Sequence, residues 1–325
     1  MSLDPIPSKS SKLFAVQLQT MDESEDWWTS DNMPYQLTFK DAEYLSTANQ
    51  AVRQTALLKS GFAVHLNKPD DKPLLQTTRA ANADFFTMVN APFAYGSAWS
   101  KTDEQDLKQV VVIGSEVNQK LFGGGNNLGK TIYLDDKTFQ VVGILKPWIL
   151  SSSFYDLNNG HFRDPEQVYL PFTLVRANEI RSWGNNNGWK HEDIKTEKDK
   201  HNSEITWIQF WVELANEKAQ QDYINFLNNY VAEQKALGRF NRESPKVSIK
   251  NVTQWLEYNK VVSEDNKILV ALSFMFLAVC LANILGLLLA KFMRRAPEIG
   301  VRRALGASKK QVFMQHIGEC PTGPE

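Results

Sequence analysis

The chain has 325 residues, of which 22% are charged and 42% are apolar, and its formal net charge is −1. A chain this close to neutral offers no broad basic surface, so its charge argues against a nucleic-acid partner. Its length is sufficient for two compact domains besides a membrane segment. The two cysteines, Cys280 and Cys320, lie in an apolar run and near the end of the chain, so we predict no disulfide framework.

The opening section, residues 4–79, is predicted to contain a strand, a helix and a hairpin. Residues 13–18 alternate as a strand does, and Thr38 stands where an N-cap precedes acidic residues in the first turn of a helix. Two further strands, at 61–66 and 73–79, are joined by a polar turn.

The second section, residues 80–180, is predicted to be mostly strand, with a helical turn at 84–89 and a short helix at 116–122. Its predicted strands are rich in β-branched residues or alternate in polarity, and they comprise residues 109–113, 131–134, 138–145 and 167–172.

A glycine-rich stretch in this section, Gly124 to Thr131, fits the P-loop pattern of Gly, four residues and Gly-Lys-Thr. A working P-loop follows a strand and opens a helix, so that helix N–H groups hold phosphate. Here a predicted helix ends at Phe122 and a strand begins at Thr131, which is the reverse order. We therefore predict a helix-to-strand loop, and a membrane-tethered nucleotide enzyme is a minor alternative.

Residues 181–203 are polar and aperiodic, which predicts a flexible, exposed loop. Its Trp183 and Trp189 are predicted to anchor the loop to its own domain, with contact to a partner or sugar as the alternative. Trp27 and Trp28, in an earlier acidic loop, are similarly predicted to cover a core edge, with a ligand platform as the alternative.

Residues 204–262 repeat the order strand, helix, strand. An apolar strand at 205–214 precedes a helix that Asn216 caps and Gly238 ends, and a strand follows at 246–250. A further helix is predicted to open at Thr253 and to continue unbroken into the next section.

Residues 263–290 are predicted to be a transmembrane helix. The run from Ile268 to Ala290 has no charged side chain, and at about 1.5 Å per residue it spans roughly the thickness of a bilayer core. The alternative is a buried core helix, which usually has a polar stripe. Basic residues concentrate after this run, so we expect the C-terminus in the cytoplasm and residues 1–262 on the other side of the membrane. No apolar stretch lies near Met1, so we expect that an earlier membrane helix is missing from this chain.

The tail, residues 291–325, is predicted to be a short basic segment with a new helix beginning at Pro297 and another at Ser308. Its composition fits either an amphipathic segment on anionic lipid or a helix that binds a cytoplasmic partner. No histidine pairs with another histidine or a cysteine at metal-ligand spacing, and no Gly-x-Ser-x-Gly nucleophile elbow occurs. We therefore expect no enzyme activity, catalytic residue, cofactor or metal.

The tail sequence APEIGVRRALGAS, at residues 296–308, resembles the FtsX/MacB superfamily of ABC-transporter permeases, which carry similar text just after a membrane helix. Three other stretches also resemble that family: residues 83–96, 110–145 and 167–171. The resemblance implies an α+β, two-lobed periplasmic domain followed by one transmembrane helix. Two strand–helix–strand halves (4–79 and 204–262) would form a membrane-proximal lobe, and 80–180 an inserted, mostly-β outer lobe.

The resemblance further implies a permease subunit that transmits the motion of a cytoplasmic ATPase to the periplasmic domain and drives efflux or periplasmic work. Residues 291–325 would be the cytoplasmic coupling segment. Its ATPase-coupling residues would be Glu298, Arg302, Arg303, Leu305 and Gly306.

The partners implied are a cytoplasmic ABC ATPase, a second permease copy in the bacterial inner membrane, and a periplasmic adapter with an outer-membrane channel. The alternative function is a single-pass, membrane-anchored periplasmic sensor or binding module without an ATPase.

Overall fold

The computed structural model describes residues 4–66, 72–261 and 264–306; the side chains of residues 264–267, 295, 298, 299, 302 and 303 lie outside this description. Its strands are β1 (Leu13–Leu18), β2 (Leu37–Thr38), β3 (Arg53–His65), β4 (Leu74–Ala81), β5 (Phe93–Gly96), β6 (Val110–Ile113), β7 (Thr131–Leu134), β8 (Lys137–Leu145), β9 (Val168–Pro171), β10 (Thr206–Glu213) and β11 (Val247–Asn251). Its helices are α1 (Phe39–Ala48), α2 (Asp84–Met88), α3 (Lys101–Gln105), α4 (Ser115–Phe122), α5 (Leu174–Ala177), α6 (Glu197–Asn202), α7 (Glu217–Ala236), α8 (Val252–Tyr258) and α9 (Glu264–Ala304), with a 3₁₀ helix at Phe154–Asn159.

All described strands join one sheet, in the order β11-β1-β10-β3-β4-β9-β6-β8-β5, with β2 on β10 and β7 on β3 and β8. At one end, β1 lies between β10 and β11 and is antiparallel to both. Helix α1 follows β1, and helix α7 connects β10 to β11. The order β11-β1-β10-β3 is therefore that of a split β-α-β motif, and the chain between His65, the end of β3, and Thr206, the start of β10, is a long insertion into it.

The two predicted strand–helix–strand halves are confirmed as local structure, and their strands alternate in the sheet. Thr38 caps α1, and its hydroxyl accepts a hydrogen bond from the Asp41 N–H (3.2 Å). Asn216 caps α7 by accepting from the Ala219 N–H (3.0 Å). Strand β3 begins at Arg53 rather than near Gly61, because residues 53–57 pair with β10.

Apolar cores lie on both faces of the sheet, because successive residues of a strand point to opposite sides. Phe14 and Val16 of β1 face one core, with Leu45 of α1 and Leu227 of α7 packed over it. The other core contains Leu13, Ala15, Phe85, Phe154, Trp211 and Trp255. Residues up to Val261 form one compact unit, and the chain after it forms another. The division of the first unit into two lobes remains a prediction.

Two helix predictions are wrong. Helix α8 does not run into the apolar segment: it ends at Tyr258, and Lys260 takes a left-handed conformation with φ 50°. The N–H of Val261 then bonds to the Leu256 carbonyl (3.1 Å), which closes the helix. Pro297 does not begin a new helix either, because it lies inside the 41-residue helix α9.

The segment predicted to be a flexible loop, 181–203, contains helix α6, which opens with a capping box of Thr196 and Asp199. Trp183 is anchored to the domain, as predicted, because its N–H bonds to the Lys59 carbonyl (3.0 Å). In the acidic loop, Trp27 is buried and stacks on Trp28, which is 63% exposed.

Candidate functional site

The predicted transmembrane helix lies within α9. Residues Ile268–Arg294 form a 27-residue stretch that is long and apolar enough to cross a membrane, and none of it is buried. Large side chains such as Phe274, Met275 and Leu287 are more than 60% exposed. The alternative of a buried core helix does not fit this exposure, because such a helix is covered on all sides.

The five predicted coupling residues lie at the end of α9. Glu298, Arg302 and Arg303 belong to its last turns by their backbone, and their side chains are outside the described set. Positions 298 and 302 are four residues apart, so they share one face of the helix. Leu305 follows the helix with 83% of its surface exposed, and Gly306 has a φ of 97°, a left-handed conformation that suits a helix end.

The P-loop look-alike is the helix-to-strand loop that the sequence predicts. It runs from the end of α4 to β7, and Gly124 and Gly129 have positive φ. Asn127 holds the loop closed by donating to the Asn118 side chain (2.8 Å) and the Gly124 carbonyl (2.9 Å). The loop opens no helix, so it lacks the N–H groups that would hold a phosphate in a P-loop.

A buried ion cluster centred on Arg79 of β4 was missed by the sequence analysis. The Arg79 side chain is fully buried, and its Nη2 lies 2.7 Å from Asp156 Oδ2 and also donates to Glu166. Tyr155 Oη donates to Glu166 (3.0 Å), and Gln209 Nε2 donates to Asp156 (2.6 Å). The cluster therefore attaches the 3₁₀ helix to two strands of the sheet, β4 through Arg79 and β10 through Gln209.

Within this cluster Glu166 is held as a carboxylate and Tyr155 as a neutral hydroxyl. Burial alone would raise the pKa of Glu166, but the Arg79 guanidinium outweighs it and lowers that pKa below its usual value. Burial raises the pKa of Tyr155 well above its ordinary value, with the Glu166 charge adding to the effect. Neither group exchanges a proton near neutral pH, so the arrangement suits a structural role.

A second cluster joins α1 to the end of α7. Arg239 contacts the buried Asp41 and also Glu204, with nitrogen–oxygen distances of 2.8 and 3.0 Å. Tyr230 Oη donates to Asp41 (2.5 Å), and Lys40 pairs with Glu204 (2.5 Å). These residues are scattered along the sequence, so no spacing pattern could have identified them. Among the described residues, no group of three or more His, Cys, Asp or Glu side chains could hold a metal ion.

Comparison with known proteins assigns the chain to a family. Residues 2–225, more than half of the chain, match the MacB-like periplasmic core domain. The chain belongs to this family. Residues 270–320, which include the predicted coupling residues, match the FtsX-like permease C-terminal domain. The chain thus carries the two domains of the MacB/FtsX-like permease family, the family that its four sequence blocks predicted.

Two relatives illustrate the match to MacB-like proteins. The pyoverdine export ATP-binding/permease protein PvdT of Pseudomonas aeruginosa is 26% identical over 74% of this chain and 31% of its own length. The macrolide export ATP-binding/permease protein MacB of Neisseria gonorrhoeae is 22% identical over 87% of this chain and 38% of its own length. The chain therefore spans about a third of the length of these relatives.

Among solved structures, the periplasmic region of MacB from Actinobacillus actinomycetemcomitans matches with a TM-score of 0.48 and 13% identity, over 80% of this chain and 98% of that one. The extracellular domain of the ABC-type transporter YknZ matches with a TM-score of 0.42 over 72% of this chain and 99% of that one. The MacB-like periplasmic core domain and the apolar helix together indicate a membrane protein with a periplasmic segment.

Proposed function

We propose that the chain is part of a permease subunit of a MacB-like ABC transport system in the bacterial inner membrane. In this proposal it hydrolyses nothing itself, and it transmits the motion of a cytoplasmic ATPase to a periplasmic domain that drives efflux or other periplasmic work. The observation that carries the proposal is the joining, in one chain, of a MacB-like periplasmic core domain, an apolar helix and an FtsX-like segment.

The orientation rests on charge. Basic residues follow the apolar helix closely, beginning with Lys291, Arg294 and Arg295, whereas acids and bases balance before it. Lys and Arg concentrate on the cytoplasmic side of membrane helices, so we place the end of α9 in the cytoplasm and residues 1–262 in the periplasm.

The moving part in this proposal is α9. Helix α8 ends at Tyr258 and Lys260 is left-handed, so α8 does not form one continuous helix with the apolar segment. Helix α9 alone runs from Glu264 to Ala304 and links the start of the apolar run to the coupling positions. Its Arg302 and Arg303 would meet acidic groups of the ATPase, and Leu305 would fill an apolar pocket there.

The partners proposed are a cytoplasmic ABC ATPase and a second permease copy, with a periplasmic adapter and an outer-membrane channel completing an export path. Support for the ATPase comes from the ATP-binding/permease names of PvdT and MacB. The adapter and the channel rest on the resemblance alone.

The coupling test uses the full-length permease with its ATP-binding partner or domain. We expect Arg302→Glu with Arg303→Glu to lower permease-dependent ATP hydrolysis at least tenfold, because two attractive contacts become repulsive. The matched control is Arg181→Glu with Lys146→Glu, two exposed positions in the core domain. Undiminished ATP hydrolysis in the variant with Arg302→Glu and Arg303→Glu would show that these residues do not couple the permease to the ATPase.

The orientation test uses single cysteines in a background in which Cys280 and Cys320 are serine. Ser151→Cys should react with a membrane-impermeant maleimide in intact spheroplasts, and Ala304→Cys should react only after the membrane is opened. Equal labelling of both positions in intact spheroplasts would contradict the proposed topology.

A further inference from the structure

Lys59, in the middle of β3, is a half-buried lysine with no ion pair or hydrogen bond from its ammonium group among the described residues. In the antiparallel ladder it stands directly opposite Arg79 of β4. Directly opposite residues point to the same face of a sheet, and like charges in such a pair destabilise it. The described chain supplies no direct ion pair that offsets this cost, and only the longer-range attraction of Asp156 and Glu166 opposes it.

An aromatic ring lies beside Lys59 on the same face. A Cβ atom added to Gly61 would approach the Trp183 ring to 2.3 Å, so the ring occupies the side-chain position of Gly61. Residues 59 and 61 are two apart on a strand, and their side chains share one face. Trp183 is also bonded through its N–H to the Lys59 carbonyl (3.0 Å), and 49% of its surface is exposed.

A second cation completes the surroundings. Arg163 Nη2 lies 3.3 Å from Asp156 Oδ2, the oxygen that also accepts from Arg79 (2.7 Å). Arg163 keeps 24% of its side chain exposed, whereas Asp156 and Glu166 are buried and already engaged. Burial, followed by the positive charge of Arg163, lowers the pKa of Lys59. The charges of Asp156 and Glu166 act on Lys59 in the opposite sense. Three cations therefore share two carboxylates, and Lys59 is the one that makes no direct ion pair with them.

We propose that Lys59, Arg163 and Trp183 form a binding site for an aromatic carboxylate. The carboxylate would pair with the Lys59 ammonium and approach the exposed edge of Arg163, which balances the local charge. The flat ring would stack on Trp183, which the close approach to Gly61 holds in place. The glycine is required here, because any side chain at position 61 would displace the indole.

The test is ¹⁹F NMR of 4-fluorobenzoate with the full chain in a nonionic detergent, with a detergent-only blank. We expect saturable broadening of the fluorine signal, and at least tenfold weaker binding of 4-fluorobenzamide, which keeps the ring and lacks the charge. Lys59→Met and Trp183→Ala should each weaken the binding of 4-fluorobenzoate at least tenfold. Lys146→Met, at an exposed lysine after β8, is the matched control and should bind as the parent does.

A folding defect is not expected to obscure this result, because Lys59→Met removes a like-charge opposition and should leave the thermal unfolding midpoint unchanged or raised. Equal binding of the acid and the amide, or undiminished binding to the folded Lys59→Met variant, would overturn the site. The inference does not rest on the ATPase coupling proposed above, since the core domain alone supplies all three residues.

Discussion

The carboxylate of Asp41 receives two parallel hydrogen bonds from Arg239, although 198 residues separate the two in the sequence. The distances are 2.8 Å from Nη1 to Oδ1 and 3.1 Å from Nη2 to Oδ2. Asp41 is fully buried at the start of α1, and Arg239 follows the end of α7. One side-chain pair thus joins the two halves of the split β-α-β motif, with the bidentate geometry that makes such contacts strong.

Replacing Asp41 with Asn should destabilise the fold. The variant keeps the shape of the side chain and removes the negative charge to which Arg239 and Tyr230 donate hydrogen bonds. Breaking a buried ion pair lowers the free energy of unfolding by about 3 kcal/mol. The free energy of unfolding, from urea titration followed by tryptophan fluorescence, measures this. Glu43→Gln is the control on the same helix: its pair with Arg176 is over a third exposed on each side and should contribute at most ~1 kcal/mol. Equal effects of the two changes would contradict the assignment.

Replacing Arg79 with Met should lower the free energy of unfolding by more than the same replacement of any surface arginine. The change leaves Asp156 and Glu166 buried with only the peripheral Arg163 and the more distant Lys59, and an uncompensated buried charge costs about 3–5 kcal/mol. Adding Asp156→Asn and Glu166→Gln to the Arg79→Met variant should recover part of the loss, since the unpaired charges are then gone. Urea unfolding of the single and triple variants gives both values. A triple variant less stable than the single one would show that packing, and not charge, sets the cost.

The stability of the fold should fall as pH drops from about 6.5 towards 4 because of His201. Its ring is buried between Phe39 and Trp207, and burial, followed by the charge of Arg176, lowers its pKa to about 4. Lys200 also disfavours the charged ring, and Glu43 favours it. The unfolded chain binds a proton below pH 6.5 while the folded chain does not, so acid favours unfolding over that window.

The His201 contribution can be separated by substitution. His201→Gln should flatten the decline in unfolding free energy between pH 6.5 and 4, whereas His191→Gln, at an exposed histidine, should leave the slope as it is. A His201→Gln variant with the parental slope would assign the pH dependence to other groups.

Gly61→Val should release the segment around Trp183. A side chain at position 61 meets the indole at 2.3 Å, and overpacking of this kind costs typically about 1–3 kcal/mol. Limited trypsin digestion at Arg181, which is 83% exposed, should become several times faster. Gly188→Val is the control, because the nearest atom to an added Cβ there is 3.5 Å away. Unchanged cleavage of the Gly61→Val variant would show that the segment is held by other contacts.

Local patterns predicted the local structure well. The alternation at 13–18, the cap at Thr38 and the periodic helix after Asn216 each depend on neighbours within a few residues, and each is present. The apolar helix that is long enough to cross a membrane is similarly a property of one continuous stretch. The family assignment followed from short blocks for the same reason.

What the sequence could not predict depends on distant residues. Arg79 meets Asp156 and Glu166 only after β4 and the 3₁₀ helix have been brought together, and no spacing rule connects positions so far apart. The end of α8 was missed because residues 253–260 contain neither Gly nor Pro, and the stop is a lysine in a left-handed conformation. The left-handed residue that ends a helix is usually glycine or asparagine, so a lysine in that position gives no signal in the sequence.

The position of β1 in the sheet has a consequence for the order of assembly. Leu13 pairs with Glu213 and Leu18 pairs with Val247, so both neighbours of the first strand are synthesised near the end of the domain. Closing such long loops is slow, and until then the strand has unpaired N–H and C=O groups along both edges and apolar side chains on both faces. A nascent chain that stalls before residue 251 therefore exposes an aggregation-prone strand to other chains. We expect a chaperone to shield that strand until β10 and β11 pair with it.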